Sequence, residues 1–84
     1  MPLFMDLHEQ LPEGATLDDV SAAHAADLAI QDRFGVRYLR YWVDEQAGKV
    51  FCLVEAPDAD TAKTVHREAH GLVAQHIYEV REGR

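Results

Sequence analysis

The sequence predicts an α+β fold: a four-stranded antiparallel sheet with two helices on one face. Three observations carry this. Four short segments rich in apolar, β-branched or aromatic residues alternate with two helical segments in the order β-α-β-β-α-β. Both helical segments open on a capping residue and close near a glycine. The two middle strands are joined by a turn too short for any crossover, so they form a hairpin.

The elements follow in order. Leu3 to His8 alternates and reads as a strand. Pro12 and Gly14 mark a loop. Thr16 stands at a helix N-cap, with Asp18 and Asp19 in the first turn, and the helix is expected to reach Phe34 before Gly35 ends it. Val36 to Asp44 is the second strand, Gln46-Ala47-Gly48 the hairpin turn, and Lys49 to Ala56 the third strand, which Pro57 stops. Asp58 or Asp60 starts a second helix that ends near Gly71, and His76 to Arg81 is the fourth strand. This is the ferredoxin-like split βαβ arrangement, which places the strands in the order 4-1-3-2. The 84 residues make one domain, 1–84.

Composition restricts the function. The net charge is −7, from 15 acidic and 8 basic side chains. Such a surface repels nucleic acid and anionic membranes and attracts cations. No segment approaches a membrane span, and no charged region followed by an apolar run suggests a signal peptide. One cysteine, Cys52, leaves no internal disulfide, so a cytoplasmic, reducing setting is expected.

The faces of the sheet are the next question. A hairpin pairing Val43 with Val50, Tyr41 with Cys52 and Leu39 with Val54 puts these six toward the helices. Leu3, Met5 and Leu7 are expected with them. The open face then holds Phe4, Asp6, His8, Tyr38, Arg40, Trp42, Phe51, Leu53, Glu55, Ile77 and Glu79. It is too aromatic to stay in water, and a second copy of the chain is the expected cover, giving a homodimer.

Two constellations could carry chemistry. The first joins the helices. His66 and His70 are four residues apart, hence one turn apart on one helical face, a spacing that offers two imidazoles to one metal ion. On the first helix Leu17, Val20, Ile30 and Phe34 form an apolar stripe, and His24, Asp27 and Gln31 fall in or beside it. The helices are antiparallel neighbours, so His24, Asp27, His66 and His70 can gather at one end of the domain. Cys52 points the same way and adds a soft donor, or is simply a small buried hydrophobe. Imidazole and carboxylate suit nickel, zinc, copper or iron rather than calcium. The alternative without metal is also simple: a histidine pair suits a helix C-terminus, and Asp27 can hydrogen-bond His24 across a turn. The stretch from His66 to His70 is not a zincin motif, because the glutamate does not follow the first histidine directly. The second constellation is Asp6, His8 and Arg40 on the open face, where a dimeric α+β barrel enzyme would bind a small organic substrate; an interface ion pair explains the same residues. The lone serine, Ser21, lacks a nucleophile elbow, and there is no glycine-rich phosphate loop.

The residues His24-Ala-Ala-Asp27-Leu28, Gln31, Gly35-Val36, Tyr38, Tyr41-Trp42, Phe51 through Pro57 and His66-Arg67-Glu68-Ala69-His70-Gly71 resemble a family of small actinobacterial proteins described as nickel-binding or nickel-responsive. The resemblance runs from Leu3 to Val80. It implies a ferredoxin-like homodimer that binds nickel ions, in sequestration or buffering, and it matches the histidines His24, His66 and His70.

Overall fold

A computed structural model describes residues 1–83. The strands are β1 (Leu3–His8), β2 (Arg37–Asp44), β3 (Lys49–Glu55) and β4 (His76–Val80); the helices are α1 (Leu17–Ile30) and α2 (Ala59–Ala69). The sheet is antiparallel with order β2-β3-β1-β4, which is 4-1-3-2 read from the other edge. This is the expected ferredoxin-like α+β fold.

Local chemistry explains the element ends. Thr16 and Asp19 form a reciprocal capping box: Thr16 Oγ1 accepts from the Asp19 amide, and the Asp19 carboxylate accepts from the Thr16 amide at 2.9 Å. Asp58 caps α2, its Oδ1 accepting from the Thr61 amide at 2.7 Å. The last turn of the first helix tightens into a 3₁₀ turn, Gln31–Phe34, and Gly35 ends it with φ +67°. In the hairpin the Asp44 carboxylate accepts from the Ala47 amide at 2.9 Å, and Gly48 takes φ +71°.

The core lies between the sheet and the helices and contains Phe4, Val36, Tyr38, Val50, Cys52, Val54, Ala62 and Val65. The hairpin pairs Val43 with Val50 and Tyr41 with Cys52, as expected. Four details correct the sequence reading. First, β1 is in the opposite phase: Phe4, Asp6 and His8 are buried on the helix side, and Leu3, Met5 and Leu7 lie on the open face. β1 is a central strand with apolar neighbours on both faces, so apolarity alone does not set its phase; the larger Phe4 takes the core, and Asp6 and His8 find partners there. Second, an irregularity between Tyr38 and Arg40 pairs Tyr38, not Leu39, with Val54. Tyr38 is buried and Leu39 is 39 % exposed. Third, Ile77 pairs with Asp6 and packs against the core, so β4 is also in the opposite phase. Fourth, Leu17 is half exposed, and the single buried residue of α1 is a carboxylate, Asp27.

Candidate metal centre

The site is built from α1, α2 and β1. Asp27 is on the core-facing line of α1, one turn before its end. His66 follows the buried Val65 in α2, and His70 is the C-cap residue one turn on. Asp6 and His8 are alternate residues of β1, so both point at the helices. Cys52 is directly across from Asp6 on β3.

His66 is the centre. It is 2 % exposed, and each ring nitrogen meets a different carboxylate: Nδ1 lies 2.9 Å from Asp27 Oδ1, and Nε2 lies 3.0 Å from Asp6 Oδ2. His70 Nε2 stands 3.1 Å from His66 Nδ1 and 3.1 Å from Asp27 Oδ1. His8 Nε2 is 3.4 Å from His66 Nε2. The Tyr38 ring packs tilted against the His66 ring at 4.5 Å, and its hydroxyl lies 3.1 Å from the Ala62 carbonyl and 3.3 Å from Asp6 Oδ2, with one proton to give.

Electrostatics follow from this packing. Burial by itself would lower the His66 pKa; hydrogen bonds to Asp27 and then Asp6, with their charges, override it and lift the value to about 9. Burial would raise Asp6, but His66, hydrogen-bonded to its Oδ2, and His8, 3.3 Å from its Oδ1, hold it at about 2. Asp27 is lowered in the same manner against its burial. Metal-free, the centre is one imidazolium clamped by two carboxylates. Burial pushes the Cys52 thiol up, as it does the Tyr38 phenol.

The donors fit a cation. Asp27 Oδ1, His66 Nδ1 and His70 Nε2 form a triangle with edges of 2.9, 3.1 and 3.1 Å. For metal–ligand bonds of about 2.1 Å, neighbouring donors stand about 3.0 Å apart in an octahedron and about 3.4 Å apart in a tetrahedron. The triangle has the size of an octahedral face. Asp6 Oδ1 is fully buried and, among the described residues, makes no directed hydrogen bond, although His8 Nε2 is 3.3 Å away. A buried carboxylate oxygen in that condition is costly unless a cation meets it. A cavity of about 200 Å³ reaches the cluster, with Leu11, Pro12, Val20 and Leu72 among its walls and His24, Asp27, His66 and His70 among its polar lining.

Of the residues expected from sequence, Asp27, His66 and His70 come together, and Cys52 lies with His66 in a second group that includes Asp6 and His8. His24 lines the same cavity but belongs to neither group of close donors; its ring packs on Tyr41 at 4.6 Å. Asp6 and His8, assigned to the open face from sequence, belong to this centre instead. Arg40 stays on the far side of the sheet, across from Leu53, so the Asp6, His8 and Arg40 set is divided between two faces.

A family model described as nickel responsive protein SCO4226-like matches residues 4–80. This chain belongs to the SCO4226-like family. A crystal structure of SCO4226 from Streptomyces coelicolor A3(2) shares 36% identity and a TM-score of 0.89, covering 98% of this chain and 99% of that one. No curated protein matches the chain. Membership in the SCO4226-like family agrees with the resemblance read from the sequence, and the fold agrees with the SCO4226 crystal structure from end to end. Among the described residues, no helix of this SCO4226-like chain is long and apolar enough to cross a membrane.

Proposed function

We propose that the protein binds a divalent transition-metal ion, nickel before others, through Asp27, His66 and His70. The observation that carries this is the triangle of three donors from two helices at 2.9–3.1 Å. Imidazole and carboxylate donors suit nickel, zinc, copper or iron, and the family description favours nickel. His24 flanks the entry to the site. An ion held by these three donors would take its remaining ligands from water in the cavity. A site of this kind holds an ion rather than turning over a substrate, so we assign the protein to nickel sequestration or buffering in the cytoplasm. The open sheet face, with Met5, Trp42, Phe51, Leu53 and Tyr78, is the surface on which two copies pair.

The test is calorimetric titration of untagged, chelator-stripped protein with nickel chloride. Saturable binding is expected, weakened at least about tenfold in both His70→Ala and Asp27→Asn. Unchanged affinity in both variants would overturn the assignment. His70 caps the helix rather than filling the core, so its variant keeps the fold.

A further inference from the structure

We propose that the centre holds two ions, bridged by His66 as an imidazolate. This rests on the reading of Asp27, His66 and His70 as a metal site. The reason is the division of donors about one ring. Nδ1 faces Asp27 and His70; Nε2 faces a second set, Asp6, His8 and Cys52, whose donor atoms lie within 4.8 Å of one another and of His66. The two nitrogens of an imidazole point away from each other, so one ion cannot use both sets, and an ion on one side leaves the other side intact.

Two further features support the inner set. Asp6 Oδ1, which makes no directed hydrogen bond, is part of it, and Asp6 is 1 % exposed. The charges also balance. Asp6, Asp27, a Cys52 thiolate and a His66 imidazolate carry four negative charges, which two divalent ions neutralise, so the doubly occupied centre holds no unpaired buried charge. Protons of the His66 ring and of the Cys52 thiol pass to solvent as the ions enter. The sulfur makes the inner site the softer one, suited to nickel, zinc or cobalt rather than magnesium or calcium.

Cobalt(II) chloride is the probe, because thiolate ligation of cobalt gives a near-ultraviolet charge-transfer band. Stripped, untagged protein is titrated while bound cobalt, absorbance and electron paramagnetic resonance are followed. Two cobalt ions per chain are expected. The thiolate band should rise with the second equivalent, and the resonance signal per ion should fall as the two spins couple through the ring. Cys52→Ser should remove the band and abolish the coupling, and so should Asp6→Asn, with bound cobalt falling from two to one per chain. One ion per chain without a thiolate band would overturn the bridge and leave the outer site standing. Two ions with no band and no coupling would also overturn it, since the second ion would then sit elsewhere. No cobalt binding at all would overturn the underlying reading as well.

Discussion

His66 decides the chemistry of this protein, and its protonation links stability to pH. Its folded pKa of about 9 lies above the ordinary 6.5, so the contribution is fully present below about pH 6.5 and is lost as pH rises through about 9. Asp6, at about 2 against an ordinary 3.8, contributes above about pH 3.8 and loses that contribution as pH falls through 2. Metal-free protein in chelator should therefore melt highest between about pH 4 and 6.5 and lose on the order of 3 kcal/mol toward pH 9. Nickel should reverse the alkaline part of that profile, because ions and protons compete for the same nitrogens. Thermal melts with and without nickel across this range check both signs; a metal-free melting temperature that climbs from pH 6.5 to 9 would contradict the assignment of His66. Asp27, His66 and His70 were legible as a group because helical spacing fixes which residues share a face. Asp6 and His8 were not. Strand alternation offers two phases, and on β1 apolarity favours Leu3, Met5 and Leu7 for the core, the opposite of the observed phase. The polar pair Asp6 and His8, out of place on either face, was the available signal, and the partner of both is His66.

At the scale of elements, the capping box and the strand irregularity position the site. Thr16→Ala should destabilise the fold by about 1 kcal/mol, measured by chemical denaturation, without changing nickel affinity, because the cap lies two turns and more from Asp27. Tyr38→Phe tests the irregularity. The inward turn of Tyr38 supplies the hydroxyl beside Asp6, so its removal should cost about 1 kcal/mol and leave the number of bound ions unchanged. The hairpin register at Val43 and Val50 could be read from the turn, since a tight turn fixes the pairs next to it. The shift at Tyr38 could not, because one inserted residue four positions further on changes nothing near the turn. A metal ion would fasten α1 to α2 more firmly than the contacts of Asp27 with His66 and His70 that join them without it. Nickel should slow amide exchange in α1 most, where Asp27 is the single buried anchor.

Across the whole molecule, the two faces of the sheet divide the work. One face carries the polar centre under the helices; the other presents Trp42 at 48 % and Tyr78 at 53 % exposure beside half-buried Met5, Phe51 and Leu53. If two copies pair here, Trp42→Glu should convert a dimer to a monomer in analytical ultracentrifugation while nickel binding persists, since the two faces are separate. A monomeric wild-type protein would contradict that pairing. The element order, sheet order and helix placement were legible because caps, glycines and the hairpin turn act locally. The aromatic character of the open face was legible too, and it survives the change of phase in β1 and β4 because both phases of those strands carry apolar side chains.

The most direct test of the central claim is X-ray absorption at the nickel edge on untagged, nickel-loaded protein. We predict a shell of nitrogen and oxygen donors with the outer-shell scattering of imidazole rings, lost in part in His70→Ala. A spectrum of oxygen donors alone, identical in wild type and variant, would contradict binding at His66 and His70.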